Sequence, residues 1–131
     1  MTKSPSDDER DFRARILEDR RPWGKFRSYP HQDAGGIKII TVEPGGTLSL
    51  QRHERRAEFW VVLDPGLEVT IDGRVRRPAA NEEIYIPRRA AHRLRCTGPF
   101  PARIMEIWLG GSDEADIVRL DDVYGRVPKK T

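Results

Sequence analysis

The stretch QRHERRAE, residues 51–58, is the part of the chain that points most directly to a fold and a chemistry. Gln51 and His53 lie two positions apart, so on a strand their side chains point to the same face. Glu58 opens the apolar run EFWVVL, and a turn between His53 and Glu58 would bring the carboxylate back beside them. His92 follows a second strand-like run about forty residues on.

These four side chains offer one amide oxygen, two imidazoles and one carboxylate. Such a set suits Zn, Mn, Fe, Co or Ni and leaves coordination positions for water or substrate. We therefore predict a divalent metal site formed by Gln51, His53, Glu58 and His92, with zinc as the favoured ion. The alternative is that both histidines are ordinary polar residues near strand ends. Two of the three histidines of the chain are among these four residues, which favours a metal site over this alternative.

The sequence from Trp23 onward predicts an all-β protein. Short runs rich in β-branched residues occupy residues 37–42, 47–51, 59–63, 67–71, 83–86, 92–95 and 103–108. Turn signals separate them, including the Asp72-Gly73 pair, which predicts a hairpin. Many short strands at this spacing are typical of a sandwich or a barrel.

The order of the candidate ligands resembles the two sequence motifs of the cupin superfamily. Residues 44–66 resemble the first motif, with Gln51 in place of its first His. Residues 81–96 resemble the second, with Asn81, Arg89 and Cys96 where Gly, Gly and Asn are usual. The resemblance implies a double-stranded β-helix, the jelly-roll barrel of the cupins.

Within the cupins, the chain resembles the type II mannose-6-phosphate isomerase domain. That domain usually forms the C-terminal part of a mannose-1-phosphate guanylyltransferase/mannose-6-phosphate isomerase. The matching stretches are TLSLQRH at 47–53, RAE-x-W at 56–60, E-x-YIP at 83–87, HRL at 92–94 and DIVRL-x-D-x-YGR at 116–126. The resemblance implies a metal-dependent isomerase that interconverts mannose 6-phosphate and fructose 6-phosphate in polysaccharide precursor metabolism.

An isomerase of this kind moves a proton between neighbouring carbons through an enediol, while the metal polarises the carbonyl. Glu106 is the first candidate for the base, because a carboxylate inside an apolar strand is costly unless it faces a cavity or a partner. Strand alternation puts it on one face with Ile104 and Trp108. The alternative is that an arginine holds Glu106 in a structural ion pair.

The phosphate of the substrate requires cationic anchors. The candidates are Arg56, Lys38, Arg89 and Arg93, and the first two are also candidates for the reaction itself. Arg56 is favoured because it lies between two predicted ligands and matches an arginine of the family motif. The alternative is that it is a solvated loop residue or an ion-pair partner of Glu54.

Three departures from the family pattern concern the predicted cavity wall. Glu54 and Arg55 stand where the family commonly has histidines, Phe59 replaces another histidine, and Trp108 replaces a glutamine. None of them removes a predicted metal ligand. Two alternatives to the isomerase therefore stay open: a non-catalytic, metal-containing sugar- or sugar-phosphate-binding cupin, and another cupin enzyme such as a dioxygenase.

The chain divides into a charged tail at 1–20, a cupin domain at 21–126 and a loose tail at 127–131. Phe12, Ile16 and Leu17 follow a helical spacing, which leaves a short helix and a frayed tail as alternatives. One cysteine excludes an internal disulfide, and no stretch resembles a signal peptide or a membrane span, so we expect a cytoplasmic protein.

The amino-acid composition indicates which kinds of binding partner to expect. Charged residues make up 34% of the chain but the net charge is only +3, so we expect neither nucleic-acid nor membrane binding. We expect a homodimer, because small barrels have exposed sheet edges and segment 11–29 is rich in apolar residues. No glycine-rich nucleotide loop is present, so guanylyl transfer is expected from a separate protein.

Overall fold

The computed structural model describes residues 5–31, 35–110 and 115–125. Within these residues, one helix and eleven strands follow one another. They are α1 Pro5–Ala14, β1 Leu17–Arg21, β2 Gly24–Tyr29, β3 Gly36–Val42, β4 Leu50–Arg52, β5 Ala57–Val62, β6 Leu67–Ile71, β7 Arg74–Arg76, β8 Glu83–Ile86, β9 His92–Cys96, β10 Ala102–Leu109 and β11 Val118–Asp121. No helix in these ranges is long and apolar enough to cross a membrane.

The strands form two antiparallel sheets. The larger sheet has the order β1-β2-β3-β10-β5-β8, and the smaller has the order β11-β4-β9-β6-β7. Buried side chains of both sheets form one core, which includes Val42, Val62 and Ile104 from the larger sheet and Val69 and Leu94 from the smaller. The predicted all-β, two-sheet cupin architecture is confirmed.

Strand alternation decides which side chains reach the interior. Along β3 and β10, buried residues alternate with partly or fully exposed ones. Ile104, Glu106 and Trp108 are all buried on the inner face, as their spacing predicts. Polar groups that lie on this face are therefore directed into the barrel.

The Asp72-Gly73 hairpin is also confirmed. Ile71 pairs with Arg74 across the turn between β6 and β7. Both central residues have positive φ, 47° and 80°, which is the backbone of a type I′ turn. Strands β1, β2, β7 and β11 were not predicted as strands, because each carries only one or two apolar side chains.

The N-terminal region differs from the helical stripe predicted within 11–20. Helix α1 ends at Ala14, and β1 then pairs with β2 from Leu17↔Ser28 to Arg21↔Gly24. A thin apolar stripe gives a helix little to bury, whereas pairing with β2 satisfies the backbone groups of this segment. The first four residues, the side chain of Phe12 and the predicted tail 127–131 lie outside the described residues.

Two aromatic residues that suggested a dimer interface in segment 11–29 belong to the interior instead. Trp23 is 5% exposed and lies in the core. Phe26 packs against the same core. Their burial means that the apolar content of this segment does not by itself indicate an intermolecular contact.

Candidate metal centre and cavity

Three of the predicted ligands meet inside the barrel. The Nε2 atom of His53 lies 3.2 Å from Oε2 of Glu58, and Nε2 of His92 lies 3.4 Å from Oε1 of the same carboxylate. One ligand atom from each residue lies within 4.8 Å of the other two, and all three residues are buried. Gln51 pairs with His92 across β4 and β9 and lines the same cavity.

The orientation of both imidazoles is fixed by backbone carbonyls. Nδ1 of His53 lies 2.6 Å from the carbonyl oxygen of Asp116, and Nδ1 of His92 lies 3.0 Å from that of Ala90. A carbonyl oxygen only accepts, so each Nδ1 carries the donated proton, and each Nε2 faces Glu58, to which it donates when the ring is doubly protonated, whereas a neutral ring offers a lone pair there to a cation. Two lone pairs and a carboxylate that converge in a buried space fit a divalent cation, and the carbonyls are the outer partners that metal-binding histidines usually have.

The loop between His53 and Glu58 is held by Asp116, a residue to which the sequence assigned no separate role. Its two carboxylate oxygens accept hydrogen bonds from the backbone amides of Glu54 and Arg55, each at 2.9 Å. Burial opposes ionisation of Asp116, but these two amides hold its pKa below the usual value. The same residue therefore orients His53 and shapes the ligand loop.

Arg56 lies within the ligand cluster rather than in solvent. Its Nε–H donates to Oε2 of Glu58 at 3.3 Å, and one terminal nitrogen lies 3.3 Å from Nε2 of His53. Glu54 pairs instead with Arg52 and Arg89. The alternative interpretation of Arg56 as a solvated loop residue or a partner of Glu54 is therefore wrong, because Arg56 lies in the loop but is buried.

Glu58 is stabilised in its charged form. Burial alone would raise its pKa, but hydrogen bonds with His53, His92 and Glu106 outweigh burial and hold the pKa well below the usual value. The indole Nε1–H of Trp60 donates to Oε1 of Glu58 at 3.2 Å. A carboxylate that is held ionised among imidazole lone pairs has the charge that a metal ligand requires.

Glu106 faces the cluster from β10 and has the opposite tendency. Burial, followed by the charge and hydrogen bond of Glu58, raises the pKa of Glu106 well above its usual value. Lys38 and the indole Nε1–H of Trp108, which donates to Oε1 of Glu106 at 2.5 Å, counteract part of this rise. Two neighbouring carboxyl groups with pKa values displaced in opposite directions are an arrangement suited to proton transfer.

The cavity beside the cluster is lined by residues from both sheets. They are Arg21, Trp23, Phe26, Lys38, Ile40, Leu48, Ser49, Gln51, Arg56, Glu58, Trp60, His92, Arg93, Leu94, Glu106, Trp108, Ile117 and Arg119. The predicted residues Gln51, Lys38, Arg56, Arg93 and Glu106 are thus brought together around one space.

Arg89 is the predicted substrate residue that the structure places elsewhere. Its side chain is 76% exposed, pairs with Glu54 at 3.2 Å, and does not line the cavity. Arg93 lines the cavity but already donates to the carbonyl oxygen of Leu48 and to the carboxylate of Asp121. Its guanidinium therefore also ties β9 to the C-terminal strand.

Arg119 is a cavity residue that was not singled out from the sequence. It lies on β11 opposite Gln51, which in turn lies opposite His92. The three residues form a row across the smaller sheet. The motif DIVRL was the only signal for Arg119, and the face to which it points became evident only once β11 paired with β4.

Comparison with known proteins identifies the family to which this chain belongs. The family model described as mannose-6-phosphate isomerase C-terminal matches residues 8–122. A mannose-1-phosphate guanylyltransferase of Escherichia coli (strain K12) is 46% identical over 108 residues, which cover 82% of this chain and 23% of the relative. The alginate biosynthesis protein AlgA of Pseudomonas putida is 44% identical over 130 residues, which cover 96% of this chain and 26% of that relative. The chain thus spans about a quarter of the length of these curated relatives.

Solved structures support the fold. The capsular polysaccharide assembling protein CapF from Staphylococcus aureus superimposes with a TM-score of 0.69 at 17% identity, covering 81% of this chain and 34% of that one. The Cnp3 cupin domain of Schizosaccharomyces pombe gives a TM-score of 0.61 at 15% identity, and the match covers 67% of this chain and 65% of that one. At such identities the likeness concerns the cupin fold alone. The family match over most of the chain and the relatives above 40% identity go further, and they show that this chain belongs to the mannose-6-phosphate isomerase C-terminal family.

Proposed function

We propose that this protein is a metal-dependent isomerase that interconverts mannose 6-phosphate and fructose 6-phosphate through an enediolate. The observation that carries the proposal is the buried His53–Glu58–His92 cluster with Glu106 facing it across one cavity. A Lewis-acid site beside a carboxyl of raised pKa is what proton transfer next to a sugar carbonyl requires. The family and the relatives support a sugar-phosphate substrate and a role in polysaccharide precursor metabolism.

The metal would be held by His53, Glu58 and His92, with Gln51 as the fourth candidate ligand. When bound, it would polarise the sugar carbonyl and stabilise the negative charge of the enediolate. Zinc is the favoured ion because two imidazoles and one carboxylate are a frequent catalytic zinc set, while Mn, Co, Ni and Fe remain alternatives.

Glu106 is proposed as the group that moves the proton. The raised pKa of this carboxyl makes it a stronger base when it is ionised and allows it to hold the proton until it is returned to the neighbouring carbon. Trp108 fixes one of its oxygens, so the other is the oxygen available to the substrate or to Glu58. Lys38 stabilises the ionised form of Glu106.

The position of Arg56 suggests a role close to the reacting atoms. In a hexose 6-phosphate the phosphate lies at the opposite end of the carbon chain from the carbonyl. Arg56 is only 3.3 Å from both Glu58 and His53, so it is better placed to stabilise charge on the sugar oxygens than to bind the phosphate. Lys38 lies opposite Glu106 on β3 and is therefore also close to the reacting groups. We therefore propose Arg119, on the opposite wall of the cavity, as the first phosphate anchor to test, ahead of Arg93.

A coupled isomerase assay tests the proposal directly. Protein stripped of metal is reloaded separately with Zn, Mn, Co, Ni or Fe, and isomerisation of mannose 6-phosphate is measured. We expect turnover with at least one ion and a loss of about 100-fold or more in kcat for Glu106→Gln, with unchanged metal content. Glu43→Gln, which alters an exposed glutamate, is the matched control. No turnover above background with any ion would refute the catalytic proposal.

A non-catalytic sugar-phosphate-binding protein is the second candidate function. It is favoured by Trp108, which replaces the family's glutamine and contacts both Arg56 and Glu106 inside the cavity. Titration calorimetry with mannose 6-phosphate and the metal-loaded protein would distinguish it. Saturable binding without turnover would support this function over the isomerase.

A further inference from the structure

The outer face of the larger sheet carries two rows of side chains that turn away from the core. The registers of five neighbouring strands define both rows. From β2 to β8, the first row is Tyr29, Ile37, Ile107, Phe59 and Tyr85. In the same strand order, the second row is Arg27, Ile39, Met105, Val61 and Glu83. We call these ten residues the outer face.

The composition of the outer face is unusual for a sheet surface in contact with water. Antiparallel sheets that are solvated on one side normally place polar residues there. Here eight of the ten side chains are apolar or aromatic, and all ten are partly or fully exposed, with Tyr85 at 56%. A contiguous apolar surface of this kind, bordered by charged residues, is typical of a protein–protein interface.

Within these five strands the two charged residues of the outer face occupy opposite ends of one row, and on the sixth strand, β1, Glu18 extends that row and lies 3.8 Å from the Arg27 guanidinium. Arg27 is on β2 and Glu83 is on β8, with three apolar residues between them. A two-fold axis parallel to the central strand β10 would exchange the two edges and keep each row in register. Arg27 of one copy would then face Glu83 of the other, and this pair would occur twice.

We propose that the outer face is the interface of a homodimer in which two copies pack their larger sheets against each other. The surface is complementary to itself in both charge and row order, which is the condition for an isologous two-fold contact. Sheets that pack face to face lie about 10 Å apart with their strands within roughly 30° of each other, so small rotations from perfect register are expected.

The proposed interface leaves the cavity open. Strand alternation places the outer face and the cavity on opposite sides of the same strands. Phe59 and Ile107 each directly follow a residue of the site, Glu58 and Glu106. Dimerisation would therefore support the strands that carry these two carboxyl groups without blocking access to them. The dimer is proposed independently of the enzymatic activity.

Charge reversal on the full-length chain tests the symmetry. In R27E, each contact would bring the new carboxylate against Glu83, and in E83R the new guanidinium would lie against Arg27. We expect each variant alone to dimerise at least about tenfold more weakly than the unchanged protein, as measured by sedimentation velocity. An equimolar mixture of the two should recover dimers. In a mixed dimer, each of the two contacts again places a carboxylate against a guanidinium. Failure of the mixture to recover them would overturn the proposed symmetry.

A second variant tests the apolar centre. Ile107→Glu places a carboxylate in the middle of the outer face, and we expect a monomer whose circular dichroism is unchanged. Arg74→Glu, on the exposed edge strand β7 of the smaller sheet, is the matched control and should remain dimeric. A monomeric unchanged protein at micromolar concentration would refute the homodimer. A dimer unaffected by Ile107→Glu and by both charge reversals would place the interface elsewhere.

Discussion

Trp108 contacts three charged side chains of the cavity, those of Lys38, Arg56 and Glu106. Its ring centroid lies 3.6 Å from the guanidinium carbon of Arg56 and 4.4 Å from Nζ of Lys38. Its indole N–H donates to Glu106. It lies so close to Gly36 that a Cβ added there would come within 2.9 Å of two ring atoms. The residue that departs from the family pattern is therefore also a residue that positions the site.

Replacing Trp108 with phenylalanine keeps an aromatic ring and removes the donor. We expect Trp108→Phe to lower the free energy of unfolding by about 1–3 kcal/mol, because Glu106 would lose a hydrogen bond in a buried position. Urea denaturation measures the change. Phe100→Leu, which alters an exposed aromatic residue away from the outer face, serves as the control and should change stability by less than about 0.5 kcal/mol. An unchanged unfolding free energy for Trp108→Phe would contradict the role of the indole N–H.

At the level of elements, the segment that precedes β11 organises the ligand loop. Asp116 binds two backbone amides of this loop through its carboxylate and His53 through its carbonyl oxygen. Strand β11 then pairs with β4, which carries Gln51. The C-terminal strand therefore holds one side of the metal centre together, although it supplies none of the predicted ligands.

Removing the Asp116 carboxylate should weaken metal binding without removing a ligand. We expect Asp116→Ala to reduce metal affinity by about 10- to 100-fold, since outer partners of metal sites have effects of this size. Competition with a chromogenic chelator measures the affinity. The affinity of Asp116→Asn, which retains one acceptor oxygen, should lie between those of Asp116→Ala and the unchanged protein, while Glu43→Gln, which alters an exposed carboxylate, should bind as the unchanged protein does. Equal affinities for all three variants would exclude the positioning role.

For the whole molecule, the candidate metal centre joins the two sheets. Glu58 lies on the larger sheet, whereas Gln51 and His92 lie on the smaller one. A ligand that binds only the folded state adds RT ln(1 + L/Kd) to the free energy of unfolding, where L is the free ligand concentration. Metal binding should therefore resist separation of the sheets.

Metal removal should accordingly lower the thermal midpoint. At a free metal concentration about 100 times the dissociation constant, the expected stabilisation is about 2.7 kcal/mol. We expect a chelator to abolish it, and His53→Ala to be insensitive to both metal and chelator. His31→Ala, which removes the exposed third histidine, should respond like the unchanged protein. Differential scanning fluorimetry measures these midpoints, and identical midpoints with and without metal would contradict the metal centre.

The sequence by itself determined the two-sheet fold and three ligands that meet. Alternation of apolar residues and turn signals such as Asp72-Gly73 are local properties, so they can be read along the chain. His53, Glu58 and His92 could be proposed from their spacing together with the two cupin-like motifs, because each lies at or beside a strand end whose direction the pattern indicates. The inward face of Glu106 followed from the same alternation.

Only the tertiary structure decided the contacts between distant segments. Arg56 and Arg89 have the same side-chain chemistry, yet one is buried beside Glu58 and the other is exposed beside Glu54. The roles of Asp116 and Arg119 depend on β11, whose four residues carry only two apolar side chains and were not predicted as a strand, and on its pairing with β4. The outer face likewise exists only through the register of five strands. Pairing between residues far apart in sequence is a long-range property, so local periodicity cannot specify it.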